Sequence, residues 1–411
     1  MSSRTTNLDK SVRRSLAVSS PKQWRLSAAN LDWPLLLIVA ALALFGLVMV
    51  TSASLSIAER NFGDAFFYTK RQMLFALVSV LLAWVVFHIK IDSWSRCSGA
   101  MLLLAIGLLI LVLIPGIGKT VNGASRWLDL GLVNFQVSEL VKFLTIIYIA
   151  GYLVRRGDEV RTTLFGFVKP IAVLCVVAVL LMLEPDFGAT VVVMATAMGV
   201  MFLGGVRFGQ FFLLIAMFVG SVVLLAISSP YRMERITSFL NPWADPYGSG
   251  FQLTQSLIAI GSGAWFGLGL GGSVQKLFYL PEAHTDFLFA VIAEEVGLLG
   301  STIIILLYGA LIARIFVIAD RARRAGHAFA TYVAYGLGLW LAMQTFINIG
   351  VNMGVLPTKG LTLPLMSYGG SSLLMTATVI ALLLRIGHEA ALAETQASPR
   401  SRRSRPAEEA A

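Results

Sequence analysis

The stretch WPLLLIVAALALFGLVMVTSASLSIA, Trp33 to Ala58, contains no ionisable side chain. About 20 apolar residues cross the hydrocarbon core of a bilayer as a helix, so a first membrane span begins near Trp33. The run is too long for the apolar segment of a cleaved signal peptide. Nine further stretches read the same way: Met73 to Phe87, Ser98 to Ile114, Ser138 to Val154, Leu164 to Leu183, Phe187 to Val206, Phe208 to Ile227, Phe287 to Ile312, Ala330 to Ile349 and Ser371 to Leu384. Several are rich in Val and Ile, but an open sheet edge finds no partner in lipid, whereas a helix satisfies its own backbone. The expected fold is an all-α polytopic membrane protein, a bundle of about ten transmembrane helices with a large outer loop between the seventh and eighth.

Composition agrees with this reading. Of 411 residues, 57% are hydrophobic and 13% charged, with a mean hydropathy of +0.79. Soluble domains carry about 25% charged residues. Two cysteines, Cys97 and Cys175, exclude a disulfide scaffold. The net charge of +10 follows from sidedness. With the N-terminus in the cytoplasm, ten of the 32 Lys and Arg fall outside: Arg60, Lys70, Arg71, Lys119, Arg126, Lys142, Arg232, Arg235, Lys276 and Lys359. The inner excess is the pattern of cytoplasmic loops, so both termini are expected inside and no nucleic-acid partner is implied. Residues 1–31 and 388–411, rich in Ser, Arg, Ala and Glu without apolar periodicity, read as disordered cytoplasmic tails flanking a membrane domain of 32–387.

Polar residues with Gly, Pro and aromatic neighbours gather in the outer segments 115–139, 184–188, 228–286 and 350–370. The third is long enough to read as functional. In Leu280-Pro281-Glu282-Ala283-His284-Thr285-Asp286-Phe287 two readings stand side by side. Either Thr285 or Asp286 caps the eighth helix, or Asp286, kept ionised by the helix dipole, accepts a proton. Glu294 and Glu295, two turns deeper and about 100° apart, belong either to a hydrogen-bond network or to a polar path. Glu139 and Lys142, at i, i+3, read as a structural ion pair. Asp186, in Glu184-Pro185-Asp186-Phe187-Gly188, reads as the cap of the sixth helix. Trp127, in Asn122-Gly123-Ala124-Ser125-Arg126-Trp127, is an interfacial anchor or a ligand contact.

Three patterns mislead. Gly118-Lys119-Thr120 resembles the end of a phosphate-binding loop, but Leu113 stands where the leading glycine belongs. Gly267, Gly269 and Gly272 fit G-x-G-x-x-G without a βαβ context, so close backbone packing is the expected use. His88, His284, His327 and His388 have no zinc-site spacing, and no metal site is expected from them.

One constellation is specific. Asn352-x-Gly354-x-x-Pro357-x-x-Gly360-x-x-Leu363-Pro364-x-x-Ser367-Tyr368-Gly369-Gly370-Ser371-Ser372 resembles the signature of the SEDS family (shape, elongation, division and sporulation). The segments around Asn122 to Trp127, Ser138-Glu139 with Lys142, Glu184 to Gly188 and His284 to Phe287 match in the same order, so the resemblance covers about Trp33 to Leu384. Asp245 to Gln252, Ser273 to Leu277 and Tyr279 to Ala283 resemble the cell-division branch more than the elongation branch. Val137, where Pro or Ala is usual, and Glu184, where Gln is commoner, depart from the pattern.

The resemblance implies a glycosyltransferase that polymerises lipid II into peptidoglycan strands on the periplasmic face of the inner membrane, at the division septum. It also implies Asp286 as the essential carboxylate and a class B penicillin-binding protein as partner, among other division-complex membrane proteins. The chemistry is consistent with the location: outside the membrane there is no nucleotide, so a lipid pyrophosphate must supply the leaving group. In an inverting transfer Asp286 deprotonates the acceptor hydroxyl while cations stabilise the departing pyrophosphate. Arg126, Lys119 and Lys276 are the expected pyrophosphate contacts, with a divalent cation as a further candidate. Trp127, Glu139, Lys142, His284, Ser367 and Ser371 complete the expected substrate site. Rival readings are a lipid II transporter using Lys142, Glu294 and Glu295, and a noncatalytic division scaffold.

Overall fold

The computed structural model describes residues 31–121, 124–129, 131, 134–227 and 230–403. Apart from Leu31, the expected 1–31 tail lies outside the described residues, as do Asn122 and Gly123. The helices are α1 (Trp33–Phe62), α2 (Phe67–His88), α3 (Ile91–Leu113), α4 (Val137–Thr162), α5 (Leu164–Leu183), α6 (Phe187–Leu203), α7 (Phe208–Ile227), α8 (Pro230–Leu240), α9 (Phe251–Ser262), α10 (Leu288–Arg324), α11 (Ala328–Asn352) and α12 (Gly370–Arg403). Eight are long and apolar enough to cross a membrane; α6 and the Phe208–Ser221 part of α7 are shorter apolar helices. Each expected span maps onto one of these helices. The segment 230–286, expected as an outer loop, contains α8 and α9.

Local chemistry sets the ends of α1. Asp32 Oδ1 accepts from Leu35 N at 3.1 Å, and Pro34 presets the first turn. Gly63 closes the helix in the left-handed region, at φ 67°. Asp32 also receives Nε and Nη2 of Arg314 at 2.8 and 2.9 Å, which ties the start of α1 to the far half of α10. Burial distinguishes the central helices from the lipid-facing ones. The most apolar windows of α4 and α12 are 78% buried and that of α11 is 61% buried, against 22–33% for α1, α2, α3, α5 and α10. Polar side chains on the central helices can therefore reach one another at one end of the bundle.

Three features correct the sequence reading. First, the segment between α3 and α4 forms an antiparallel sheet of β1 (Gly118–Val121), β2 (Ala124–Asp129) and β3 (Asn134–Gln136), in that order, with Lys119 opposite Trp127 and Trp127 opposite Gln136. The objection to open edges holds only inside lipid, and this sheet lies between two membrane helices. Second, 388–403, expected as part of a disordered tail, continues α12. Glu389, Ala390, Ala391 and Leu392 are strong helix formers. Arg385 Nε donates to Glu389 Oε1 at 2.7 Å, and Glu389 Oε1 also accepts from Ile91 N at 3.3 Å, which packs this extension on the start of α3.

Third, α10 is broken at Gly297, with φ 67° and ψ −168°. The segment after α9 fills the break with its own backbone. Leu268 N and Gly269 N donate to the carbonyls of Glu294 and Glu295 at 2.9 and 3.0 Å, while Leu298 N and Leu299 N donate to Ala264 and Trp265 at 2.9 and 3.2 Å. A Cβ on Gly267 would come within 2.1 Å of Glu295 O. The glycine pattern at 267–272 thus serves close backbone packing, and the carbonyls of Glu294 and Glu295 and the amides of Leu298 and Leu299 are satisfied across the break.

Candidate functional site

Asp286 lies one residue before the N-cap of α10, Phe287, which makes no side-chain cap bond. Thr285 Oγ1 donates to Glu282 Oε2 at 2.7 Å. Neither Thr285 nor Asp286 caps the helix, so the capping reading is overturned. The Asp286 carbonyl instead accepts from Nδ2 of Asn348 at 2.9 Å and of Asn352 at 3.0 Å, and Asn352 Oδ1 accepts from Ala290 N at 3.1 Å. Two asparagines one turn apart on α11 hold the backbone and leave the carboxylate to the space in front of it. On one side that carboxylate abuts Gly360, where a Cβ would come within 2.8 Å of Oδ2.

The space is a cavity of about 760 Å³. Its walls are the junction of α1 and α2 (Phe62, Phe67, Tyr68, Arg71), the sheet (Arg126, Trp127, Asn134, Gln136), Glu139 of α4, the stretch Glu282 to Phe287, and 358–372, including Lys359 and Ser371. A second cavity, of about 400 Å³, is lined by Arg155, Arg156, Arg161 and Tyr332 and contains none of the expected site residues.

Six of the expected residues meet in the larger cavity: Asp286, Arg126, Trp127, Glu139, His284 and Ser371. Arg126 Nη2 donates to Pro185 O at 3.1 Å, and its Nη1 stands 4.0 Å from Asp186 Oδ1. Asp186 does cap α6, accepting from Ala189 N at 3.1 Å, and it also accepts from Ser138 Oγ at 2.8 Å. Ser371 Oγ accepts from Gln136 N at 2.9 Å, joining α12 to the sheet. The His284 ring packs against both Tyr68 and Tyr368, with centroids 4.5 and 5.6 Å away, and those two rings meet edge-on at 5.0 Å.

Four expected contacts lie elsewhere. Lys119 is on the exposed sheet edge, bound to Asp129 at 3.1 Å and Asn134 at 3.3 Å. Lys142 is buried behind the wall, donating to Glu139 at 2.7 Å and Gln344 at 2.8 Å. Ser367 Oγ accepts from Leu363 N at 3.0 Å inside its own turn. Lys276, an expected pyrophosphate contact, is instead buried against Glu295 at 2.7 Å and Ser52 at 2.9 Å, outside the cavity lining. Glu294 accepts from Ser273 Oγ at 2.5 Å, Val274 N at 3.0 Å and Gln275 N at 3.4 Å. The three charges on which a transport path would draw therefore each end in local partners, and the network alternative for Glu294 and Glu295 holds.

Burial governs the electrostatics. It raises the Asp286 carboxyl to about 7, assisted by Glu282 and opposed by Arg126. The sequence reading had the helix dipole keeping this group ionised; desolvation outweighs the dipole. Glu184 is raised to about 8 by burial and by Asp186, against Arg126, and neither carboxyl oxygen has a hydrogen-bond partner among the described residues. Burial lowers His284, so the imidazole is neutral near pH 7.

Sequence reasoning missed Arg71, Lys359, Asn348 and Gln136. Arg71 and Lys359 are legible in the sequence only as outer cations, without a signal that both line the cavity that holds Asp286. Asn348 is hidden inside an apolar span, where an amide is itself a signal, because a polar group at that depth needs a partner.

The chain is similar to known proteins over most of its length. The family model described as cell cycle protein, covering FtsW, RodA and SpoVE, matches residues 33–392. The probable peptidoglycan glycosyltransferase FtsW of Thioalkalivibrio sulfidiphilus is 56% identical over 362 residues, covering 88% of this chain and 90% of that protein. Its counterpart in Alkalilimnicola ehrlichii is 52% identical over 391 residues, covering 95% and 98%. Among solved structures, one concerning the coordination of polymerization and crosslinking by a peptidoglycan synthase complex superposes with a TM-score of 0.72 at 29% identity, covering 88% of this chain and 98% of that one. The rod shape determining protein RodA of Thermus thermophilus gives 0.66 at 28%, covering 87% and 97%. The chain belongs to the FtsW, RodA and SpoVE family of cell cycle proteins.

Proposed function

We propose that this protein is a peptidoglycan glycosyltransferase of the cell-division branch, polymerising lipid II by inverting transfer with Asp286 as general base. One observation carries the reading. A single cavity joins a carboxylate whose pKa lies near 7 to three cations, Arg71, Arg126 and Lys359, with aromatic walls beside them. A base poised near the working pH combines the right protonation state with a useful driving force. The acceptor hydroxyl attacks the anomeric carbon of the donor, its proton passes to Asp286, and the bond from that carbon to the pyrophosphate oxygen breaks. The electron pair leaves on the lipid pyrophosphate, whose growing charge the three cations offset.

Among the described residues, no three His, Cys, Asp or Glu side chains converge as metal ligands. A divalent cation fits here only as a companion of the pyrophosphate, and no step is routed through it. The likeness to a peptidoglycan synthase complex supports a class B penicillin-binding protein as partner. We place the cavity on the periplasmic side of the inner membrane, with both termini cytoplasmic, because the inner excess of Lys and Arg supports that orientation.

The test is to supply purified full chain, with its transpeptidase partner, with labelled lipid II and to resolve the products on a gel. A ladder of glycan strands that requires this chain is the expected result. Labelled lipid II that crosses a reconstituted membrane without forming polymer would replace the polymerase reading with a transporter.

A further inference from the structure

The stretch that delivers Asp286 contains two non-glycine residues in the left-handed region, Phe278 at φ 68° and Glu282 at φ 56°. Such backbone persists only where its surroundings fix it at both ends. Downstream, Asn348 and Asn352 hold the Asp286 carbonyl. Upstream, Lys276, a residue 7% exposed, places its Nζ 2.7 Å from Glu295 Oε1 and 2.9 Å from Ser52 Oγ. Ser52 donates to the same Glu295 oxygen at 2.7 Å. One turn of chain earlier, Glu294 accepts from Ser273 and from two backbone amides.

These contacts fold the loop back onto the first two turns of α10, the helix that Asp286 precedes. They also join that loop to α1, which touches it again where Arg60 stacks 4.7 Å from the Phe278 ring. The two carboxylates sit just before the break at Gly297, where the loop's own amides cap their carbonyls. Side chain and backbone therefore bind the same two residues from the same loop.

We propose that Lys276, Glu295 and Ser52 are positioning residues: a buried latch between α1, the long outer loop and the broken helix that holds the strained stretch 277–286 and sets the Asp286 carboxylate in the cavity. The proposal rests on the reading of Asp286 as the base. Lys276 touches no part of the cavity, so its effect on catalysis passes through Asp286.

The test compares full-length Lys276→Met, Glu295→Gln and Lys276→Arg with wild type. Two readings are taken on the folded fraction: steady-state lipid II polymerisation, and the rate and pH midpoint of carbodiimide labelling at Asp286, resolved by peptide mass spectrometry. Misplacement of a reacting group by about 1 Å costs about 100-fold in rate. Lys276→Met and Glu295→Gln should lose about tenfold to 100-fold in kcat with KM within about twofold, and the labelling midpoint at Asp286 should move. Lys276→Arg keeps the charge and the donors, and should keep most of kcat.

Should Lys276→Met fail to fold, Ser52→Ala is read the same way, since it removes the bridge to α1 and leaves the ion pair. Folded variants with wild-type kcat and labelling would overturn the latch. So would a raised KM at unchanged kcat, which would make Lys276 a substrate contact, or an Arg variant as impaired as the Met variant. Activity in Asp286→Asn would instead remove the reading of the base, while displaced labelling in Lys276→Met would still show the latch.

Discussion

Asp286 and Glu184 are both carboxyls that the fold drives toward the neutral form, and they predict different pH behaviour. For Asp286, raised to about 7, the working base is the ionised form. The log of kcat/KM should therefore climb with unit slope below pH 7 and level off above it, measured as lipid II polymerisation across pH 5.5 to 9. For Glu184 the quantity to measure is stability. The folded state holds its proton up to about 8, whereas the unfolded chain releases it near 4.5. Between those values the folded state binds more protons, so stability falls as pH rises, by at most about 1.4 kcal/mol per unit. Glu184→Gln keeps the shape without the proton. Its thermal melting in detergent should lose that slope and exceed wild type at pH 8, and a parallel decline in both proteins would show that Glu184 does not titrate in the fold. At this scale the sequence made Asp286 legible, because a carboxylate with His, Pro and a second acid at a helix entry is unusual. It did not distinguish Arg71 and Lys359 from Lys119 and Lys276. All four are outer cations in the sequence, and only the packing of α2, the sheet and the stretch 358–372 decides which line the cavity.

Among the helices, α10 departs most from its sequence pattern. Its apolar run reads as one uninterrupted span, yet Gly297 breaks it and the loop after α9 docks in the gap. Gly297→Ala should be severely destabilising, by several kcal/mol, because it places a side chain at φ 67° and a Cβ 2.4 Å from Gly267 N. Gly309→Ala, in the same helix with nothing within 4 Å of the added atom, should be neutral or stabilising by up to about 1 kcal/mol. Equal melting shifts for the two variants would mean that the break is not needed. The break was illegible because hydropathy records what lies in lipid and is silent on which backbone bonds are made. The sheet was missed for a related reason. Residues 118–136 alternate too weakly to read as strands, and antiparallel pairing of neighbouring strands makes up for what the pattern lacks. The helical extension of 388–403 was legible in its Ala and Glu content, which composition-based reasoning took for a solvated tail.

For the molecule as a whole, the bundle was legible almost entirely from apolar length, since lipid permits a polypeptide few alternatives to a helix. The orientation proposed above rests on the distribution of Lys and Arg. Cysteine at Tyr247, 89% exposed in the outer segment, should react with a membrane-impermeant thiol reagent applied from the periplasm, whereas cysteine at Arg324 should react only once the inner membrane is opened. Labelling in the reverse order would invert the topology and move the cavity to the cytoplasm. The central claim is that one cavity, at one end of this bundle, turns lipid II into glycan with Asp286 as its base. The most direct measurement is lipid II polymerisation by Asp286→Asn, purified with its partner and shown by melting to be folded. Asn keeps the size and the backbone contacts of Asp286 but takes no proton at neutral pH, so the account predicts no glycan ladder. A folded Asp286→Asn protein that polymerises lipid II at a near wild-type rate would contradict it.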